Sequence, residues 1–493
     1  MKPIIKLNKI LRHFGGVKAL DGVTLEIRSG EVLALAGANG SGKSTLIKVI
    51  AGVETSDSGT LIMHNNVVRN NTASHAIKSG VQVIYQDMSL FDHLTVAENI
   101  AASADVMRQQ KLFRKSDAAK LASKIISDLE IELPLGALVA SLTVAERQLV
   151  AICRALACDV KVLFMDEPTT ALTWTEVERL FAIVNRLTQQ GVAVVFVSHK
   201  SDEVFAISQR IAVLRNGQLV AEGAREDFDK TSLHTAISGE EAPAPAVPRE
   251  FTNSKVVIEV ENLSSDRAFS KVSMSIRQGE ILGLTGSLGS GRNEFAEALF
   301  GVRKHNGGTI TLDGVQRSIT SPKQAREFGI ALVPEDRLTE GIFLGQSIED
   351  NIVSASTKQN SNKLGVLKNA DIESLCDNSV RDLRIKLGSM QDPIESLSGG
   401  NQQKVVLAKW LARAPKVLVL IGPTVGVDVG AKHAIIEKLK EAADSGLSIL
   451  LISDDLDELR DACDRVLVFD RGQIISEVVP AQLTEQTMRG AGE

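Results

Sequence analysis

The chain has 493 residues, 44% hydrophobic and 24% charged, which is typical of a folded protein with more than one domain. Its formal net charge of −6 argues against a protein that binds nucleic acid by neutralising phosphates. No apolar run reaches the roughly 18 residues of a membrane-spanning helix, and no signal peptide is recognisable. We therefore expect the chain to stay in the cytoplasm.

The first informative element is a buried strand at residues 31–35, which leads into the glycine-rich loop GANGSGKST and then a helix. The loop matches the phosphate-loop pattern Gly-x-x-x-x-Gly-Lys-Ser at every specified position. Its glycines let successive N–H groups point at nucleotide phosphates, and the helix N-terminus adds a favourable dipole. A glycine-rich turn that binds nothing is the alternative interpretation. The strand before the loop and the helix after it make that alternative the weaker one. The predicted nucleotide-binding residues are Gly37, Ala38, Asn39, Gly40, Ser41, Gly42, Lys43, Ser44 and Thr45.

Two side chains of this loop have predicted chemical roles. Lys43 would bridge the β- and γ-phosphate oxygens of ATP, and Ser44 would offer its hydroxyl to Mg²⁺. Phe14, which precedes the strand, could stack on the adenine ring, although an aromatic residue without a partner is more often part of the core.

Further polar residues follow predicted strands in the first half of the chain. Gln86 follows VQVIY and is an uncharged side chain able to reach Mg²⁺ and the attacking water. Asp166 and Glu167 end an apolar strand; Asp166 would hold Mg²⁺, and Glu167 would polarise the water. His199 ends GVAVVFVSH and can donate a hydrogen bond to the γ-phosphate. A lone Asp-Glu pair is weak evidence, and His199 alone would more often be a structural strand-end histidine, so the prediction depends on the order of these residues along the chain.

The chain repeats itself. Gly286 follows Gly37 by 249 residues (286 − 37), and Ser396 follows Ser141 by 255 (396 − 141), so the second copy is six residues longer between these points. We expect the extra residues among amphipathic helices, where loops tolerate insertions. Between the copies, EEAPAPAVPREFTNSK predicts a short, semi-rigid, exposed linker at residues 240–255. The predicted domains are residues 2–239 and 256–490.

The second copy lacks most of the catalytic residues. Arg292 and Asn293 stand where the first copy has lysine and serine, so the charge remains but the hydroxyl for Mg²⁺ is lost. Ile421 and Gly422 replace the two carboxylates. The other replacements are Glu335 for Gln86 and Asp454 for His199.

A second motif is complete in the second copy and altered in the first. The second copy reads LSGGNQQ at residues 397–403, where Ser398 and the amides of Gly399 and Gly400 would cradle a γ-phosphate at a helix N-terminus. The first copy reads LTVAERQ at residues 142–148. Its Val144 and Ala145 prevent close backbone approach, and the following Glu146 adds negative charge.

The order of these motifs resembles the ATP-binding-cassette family over essentially the whole of both copies, with LSGGNQQ as that family's signature. The resemblance implies an α/β fold of two tandem ATP-binding-cassette domains, each with a phosphate-loop, mainly parallel sheet core and a helical subdomain. It also implies that the two cassettes pair within one chain and sandwich ATP and Mg²⁺ between the loop of one and the signature of the other. One complete site would then combine the first loop with Ser398, Gly399 and Gly400.

Within that family, the chain is most similar to the tandem ATP-binding subunits of bacterial carbohydrate importers of the ribose, galactose and xylose type. The similarity rests on the total length, on Arg292, on GNQQK and on GVDVGAK at residues 426–432; it fails at Ile421 and Gly422, where an Asp-Glu pair is common. It implies an ATPase that is peripheral to the cytoplasmic face of the inner membrane. Its partners would be membrane permease subunits and, indirectly, an extracytoplasmic solute-binding protein, with no nucleic acid.

The alternative is a soluble tandem-cassette ATPase that acts on ribosomes or nucleic acid. Such proteins tend to have a long, charged, helical connector and a basic surface, whereas this connector is short and the net charge is negative. A regulatory ATPase with no role in transport is a third possibility that no feature of the sequence favours.

Overall fold

A computed structural model describes residues 2–38, 40–107, 114–169, 172, 174–198, 200–239, 249, 251, 254–287, 289–356, 369–427 and 429–484. The chain divides into two compact units, Met1–Ala242 and Pro243–Glu493.

The first unit begins with a hairpin of two long strands and then mixes strands and helices along the chain. Its described strands are β1 (Pro3–Phe14), β2 (Val17–Arg28), β3 (Val32–Ala36), β4 (Ser58–Met63), β5 (Asn66–Val68), β6 (Val81–Ile84), β7 (Val162–Asp166), β8 (Ala193–Val197), β9 (Arg210–Arg215) and β10 (Gln218–Ala224). Its described helices are α1 (Lys43–Ile50), α2 (Ala73–Lys78), α3 (Val96–Met107), α4 (Lys115–Asp128), α5 (Val144–Leu156), α6 (Trp174–Gln189), α7 (Ser201–Ile207) and α8 (Lys230–Ser238).

Two sheets form the framework of the first unit in the part of the chain described. The larger has the strand order β10-β9-β3-β8-β7-β6, and every neighbouring pair except β9–β10 is parallel. The smaller is antiparallel with the order β2-β1-β4-β5. Strands β3 and β8 consist of apolar residues that are all buried, which is why they read as continuous apolar runs in the sequence. The predicted α/β fold with a mainly parallel sheet is confirmed.

A helical subdomain lies between β6 and β7 in the sequence. Helices α3, α4 and α5 contribute apolar residues to one buried cluster, among them Ile100, Ala122, Ile125, Val150 and Cys153. The same cluster includes residues of β7 and β8, so the helices share a core with one face of the parallel sheet.

The second unit has the same order of strands and sheets. Its described strands are β11 (Val256–Ser265), β12 (Phe269–Arg277), β13 (Ile281–Gly286), β14 (Gly307–Leu312), β15 (Val315–Arg317), β16 (Ile330–Val333), β17 (Val417–Ile421), β18 (Ser448–Ile452), β19 (Arg465–Asp470) and β20 (Gln473–Val478). Its described helices are α9 (Arg292–Phe300), α10 (Pro322–Glu327), α11 (Ile348–Val353), α12 (Asn369–Asp382), α13 (Gly399–Leu411), α14 (Val429–Asp444) and α15 (Leu456–Ala462). Its sheets run β12-β11-β14-β15 and β16-β17-β18-β13-β19-β20, which repeats the first unit strand for strand.

The structure shows where part of the six-residue difference lies. The amide oxygen of Asn99 accepts a hydrogen bond from the Phe91 N–H at 2.9 Å, and that of Asn351 accepts one from the Phe343 N–H at 2.7 Å. Equivalent residues of these two pairs are 252 positions apart in the sequence (351 − 99 and 343 − 91), whereas Gln86 and its equivalent Glu335 are 249 apart (335 − 86). Three of the six extra residues therefore precede Phe343, in the segment that forms a π-helix at Arg337–Gly341 rather than among long helices.

The end of the predicted linker contacts the second unit. Arg249 donates hydrogen bonds to both carboxylate oxygens of Asp464, at 3.0 and 2.9 Å, and its guanidinium lies over the ring of Phe251. Asp464 also accepts a hydrogen bond from the N–H of Ile281 at the start of β13. The chain is therefore held against the second unit several residues before β11 begins.

No helix among the described residues is long and apolar enough to cross a membrane.

Candidate functional site

The glycine-rich loop of the first unit joins the end of β3 to the start of α1. Gly42 precedes the helix with φ 108°, a conformation that residues with a Cβ rarely adopt. A Cβ at Gly42 would lie 2.4 Å from the carbonyl oxygen of Ala19 in β2, and one at Gly37 would lie 2.3 Å from that of Leu214 in β9. The loop is therefore closely packed between a strand of each sheet, and only glycine fits at both positions.

We expect Gly42→Ala to weaken ATP binding about five- to 150-fold, because the new Cβ displaces the loop and adds strain of about 1–3 kcal/mol. Isothermal titration calorimetry with the full chain would measure this. Gly136→Ala is the matched control, since a Cβ there meets no atom within 4 Å. Unchanged affinity in Gly42→Ala would contradict the prediction.

Lys43 lies inside the loop. Its Nζ donates hydrogen bonds to the carbonyl oxygens of Gly37 and Ala38, at 2.7 and 2.9 Å, and the residue is 7% exposed. Burial lowers the pKa of Lys43, while the charges of Glu167 and Asp166 oppose that shift. The structure thus brings the predicted lysine and both predicted carboxylates within electrostatic reach of one another.

Asp166 ends β7 and Glu167 follows it directly, at the same edge of the sheet as the loop. Burial and the charge of Glu167 raise the pKa of Asp166, whereas Lys43 lowers it. Glu167 has a left-handed φ of 48°, and its N–H donates to the carbonyl oxygen of Val197 at 3.0 Å. Because a left-handed conformation is strained for a glutamate, the fold imposes this geometry rather than the residue preferring it.

The remaining predicted residues have mixed outcomes. Ser44 and Gln86 are exposed, and Gln86 lies in a turn directly after β6, next to β7 in the sheet. Phe14 is 44% exposed at the end of β1, where the guanidinium of Arg12 lies 4.6 Å from its ring centroid. A stacking role for Phe14 therefore stays a prediction. Asn39 and His199 lie outside the described residues.

A buried carboxylate behind the site was not predicted. Glu203 of α7 is 3% exposed and accepts hydrogen bonds from the hydroxyls of Thr169 and Ser198, both at 2.7 Å. These bonds join the segment after β7 to the end of β8. Comparison of the two copies could have revealed the carboxylate, because Glu458 occupies the equivalent position 255 residues later (458 − 203).

The corresponding loop of the second unit has different chemistry. Arg292 is buried and donates to the carbonyl oxygen of Gly286; burial lowers its pKa, which the charges of Asp454 and Glu335 oppose. The side-chain amide of Asn293 donates to Glu335 at 2.8 Å, so the residues that replace Ser44 and Gln86 bind each other.

The second unit keeps the backbone of the catalytic carboxylate but not its side chain. Gly422 has φ 53°, and its N–H donates to the carbonyl oxygen of Ile452 at 2.8 Å, which matches the geometry of Glu167. The preceding Ile421 is buried in an apolar cluster. This loop has no carboxylate at the position where water would be polarised.

The helices that carry the two signature segments begin differently. At the start of α5, Thr143 and Glu146 form a capping box, in which each side chain accepts a hydrogen bond from the other's N–H, at 3.2 and 2.8 Å. At the start of α13, the exposed Ser398 makes no such bond, and its hydroxyl accepts one from Asn401 at 3.0 Å. The α5 terminus is thus closed by its own side chains, whereas Ser398 leaves the α13 terminus uncapped.

Comparison with known proteins is consistent with this duplicated architecture. The family model described as ABC transporter matches residues 20–170 and 269–425, which together exceed half of the chain. The chain belongs to the ABC transporter family. The family model matches once in each unit, so the predictions of tandem ATP-binding cassettes and of ATPase activity are confirmed.

Two curated relatives cover nearly the whole chain. A ribose import ATP-binding protein of Jannaschia sp. (strain CCS1) is 38% identical over 486 residues, which is 99% of this chain and 94% of the relative. A putative ribose/galactose/methyl galactoside import ATP-binding protein of Pseudomonas savastanoi pv. phaseolicola (strain 1448A / Race 6) is 37% identical and covers 98% and 92%. The predicted resemblance to the ATP-binding subunits of carbohydrate importers is therefore confirmed.

A solved structure resembles the chain in fold. The crystal structure of the complex of archaeal ribosomal stalk protein aP1 and archaeal ribosome recycling factor aABCE1 matches with a TM-score of 0.65. The match covers 96% of this chain and 90% of that one at 19% sequence identity. At that identity the likeness concerns the fold alone.

Proposed function

We propose that this chain is the ATP-hydrolysing subunit of an importer for a sugar or sugar-like solute and acts through separate membrane permease subunits. The observation that carries the proposal is the relationship to sugar-import ATP-binding proteins, which extends over 98–99% of the chain and so includes both cassettes. The first-unit site supplies the chemistry that such a subunit needs.

The first-unit loop suits the phosphates of ATP. Among the described residues, the buried hydroxyl of Ser41 has no hydrogen-bond partner, and a phosphate oxygen would supply one. Lys43 would exchange its bonds to the loop carbonyls for the β- and γ-phosphate oxygens. The other loop residues from Gly37 to Thr45 would contribute backbone N–H groups, and Phe14 would stack on adenine.

Mg²⁺ fits the same site. Ser44, Gln86 and Asp166 offer a hydroxyl, an amide and a carboxylate, and Mg²⁺ is commonly held by one or two carboxylates together with substrate phosphates. The bound ion would neutralise the charge that develops on the phosphate oxygens. The burial that raises the pKa of Asp166 would be offset by the ion's charge, so that this carboxylate would stay ionised with the metal bound.

Hydrolysis would depend on Glu167, which would polarise the attacking water. Its imposed left-handed backbone orients the carboxylate at the edge of the sheet where the loop lies. Gln86 would also contact the water, and His199 would donate a hydrogen bond to the γ-phosphate.

The second half of the hydrolytic site would come from the signature at Ser398, Gly399 and Gly400. The uncapped start of α13 supports this assignment, because its free N–H groups suit a γ-phosphate, whereas the α5 start is closed by Glu146. We therefore propose one hydrolytic site per chain, formed by the two cassettes together. Closure around ATP and reopening after hydrolysis would drive the permease between its two states.

Membrane association would be peripheral, at the cytoplasmic face of the inner membrane, through the permease subunits. An extracytoplasmic solute-binding protein would deliver the solute to them. Nucleic acid is not an expected partner, because the net charge of −6 gives no general attraction for phosphate backbones.

Purification from mild detergent tests this proposal. We expect the full chain, isolated from its native membranes, to bring with it a polytopic membrane protein, and sugar uptake to cease when Glu167 is replaced by glutamine. A Glu178→Gln variant, altered on α6, is the control and should sustain uptake. Recovery of the chain with ribosomes, in place of a membrane protein, would contradict the proposal and favour the soluble alternative.

A further inference from the structure

The turn that carries Gln86 has a strained backbone. Met88 and Ser89 both adopt left-handed conformations, with φ of 56° and 45°, although neither is glycine. Each such residue costs about 1–3 kcal/mol unless its surroundings hold it. The Met88 N–H donates to the carbonyl oxygen of Tyr85 at 2.8 Å, so the turn closes directly around Gln86.

One side chain holds both strained residues. Arg154 of α5 donates hydrogen bonds to the carbonyl oxygens of Met88 and Ser89, at 2.8 and 2.6 Å. The side chain is partly buried; burial lowers its pKa, while Asp87 in the same turn opposes the shift. A guanidinium with its donors in one plane is well suited to fixing two neighbouring carbonyls at once.

The second unit repeats this contact with a lysine in place of the arginine. Lys409 lies 255 residues after Arg154 (409 − 154) on the equivalent helix α13, and its Nζ donates to the carbonyl oxygen of Gly341. Gly341 corresponds to Ser89 by the same 252-residue spacing that relates Phe343 to Phe91. Each unit thus has a cation against this turn. It is an arginine in the first unit, whose turn carries Gln86, and a lysine in the second unit, whose turn carries Glu335.

We propose that Arg154 is a positioning residue for Gln86. By fixing the turn after β6 to α5, it would hold the Gln86 amide where that group can reach Mg²⁺ and the attacking water. The proposal rests on the proposed role of Gln86 in hydrolysis. It adds a requirement that the helical subdomain be docked correctly before the first site can turn over, because Arg154 belongs to that subdomain.

The test measures steady-state ATP hydrolysis by the full chain. We expect Arg154→Ala to lower kcat about tenfold, the usual effect of removing a residue that orients a metal ligand, and to leave KM for ATP within about twofold. The Mg²⁺ concentration for half-maximal rate should rise, which a loss of stability alone would not produce. Arg154→Lys should recover part of kcat, since one donor can hold one carbonyl, as Lys409 does.

A double variant gives the decisive comparison. Adding Arg154→Ala to Gln86→Ala should lower kcat no further, because the residue being positioned is already gone. Arg186→Ala is the matched control, since it removes an arginine that binds the exposed Glu130 in the same unit at 2.7 Å, and it should leave kcat unchanged.

Two results would overturn the proposal. An Arg154→Ala variant with wild-type kcat would do so, and so would a loss that multiplies onto that of Gln86→Ala. If Gln86→Ala itself keeps full activity, the error lies in the role assigned to Gln86 within the proposed function. If Arg154→Ala does not fold, Arg154→Lys alone decides, since the proposal requires a reduced kcat and a raised Mg²⁺ requirement in that variant.

Discussion

Replacing Lys43 with alanine is expected to reduce ATP turnover by the full chain about 10²–10³-fold, the usual cost of removing one preorganised charge donor from a reacting group. The same replacement of Arg292 in the second unit should leave turnover within about twofold. Lys43 is held inside its loop and lies within electrostatic reach of Asp166 and Glu167.

The contrast follows from what surrounds each cation. The negative charges of Glu335 and Asp454 act on Arg292 and would repel phosphate oxygens. The position equivalent to Glu167 is Gly422. Without a carboxylate to polarise water, little hydrolysis is expected at the second loop, so the charge of Arg292 has little effect on turnover. The measurement is kcat at saturating Mg²⁺ and ATP, with circular dichroism to verify that each variant is folded.

Bound nucleotide provides an independent check of the same asymmetry. In a Glu167→Gln variant, which should bind ATP but not hydrolyse it, we expect one tightly held nucleotide per chain. Two sites of equal, high affinity would contradict the asymmetry, as would a large loss of turnover in Arg292→Ala. Either result would mean that the loop of the second unit, which carries Arg292, binds Mg²⁺ and ATP despite the Asn293–Glu335 contact.

The fold was predictable because its signals are local and occur twice. The predicted strand at residues 31–35 lies one residue from the observed β3, and the apolar runs before Asp166 and His199 form β7 and β8, since strands buried on both faces exclude polar residues. The phosphate loop was recognisable for a similar reason, because its chemistry requires particular residues at fixed spacing.

The contacts that support the site were not predictable from spacing. Thr169 and Glu203 are 34 residues apart, and Arg154 lies 66 residues from Met88, so nothing in the local sequence joins them. The left-handed backbone of Glu167 was hidden because glutamate does not favour it; only the glycine at the equivalent position 422 suggests it. Such features depend on tertiary packing, and comparison of the two copies is the one sequence signal that could reveal them.

The second large effect is expected at Lys432, a partly buried cation of the second unit. Lys432 of α14 is paired with Asp455 at 2.5 Å, and the charges of Asp455 and Glu458 raise its pKa above the ordinary value in spite of its burial. In the first unit the equivalent position is Val177 (432 − 255), and Lys200 pairs with Glu203 instead, at 3.3 Å. The cation near the buried carboxylate therefore lies on α14 in the second copy, whereas in the first copy it is the residue that precedes α7.

Lys432→Met should destabilise the second unit by about 3–5 kcal/mol, because the buried carboxylate of Glu458 loses the nearby cation whose charge offsets its own. For a unit of this size that corresponds to a fall of roughly 10 °C in its melting temperature, seen by calorimetry as a shift of one transition. Lys438→Met, on the same helix, is the matched control.

The Lys438→Met control removes a positive charge from the same helix at an exposed ion pair. Lys438 pairs with the exposed Glu441 at 2.8 Å, and loss of such a surface pair costs less than about 1 kcal/mol. Burial raises the pKa of Glu458, so this group can take up a proton when the lysine is gone, and the loss in Lys432→Met should be smaller at pH 5 than at pH 8. Equal melting temperatures for the two variants would show that Asp455 and Glu458 are stable without Lys432, and that the cation on α14 is not what balances them.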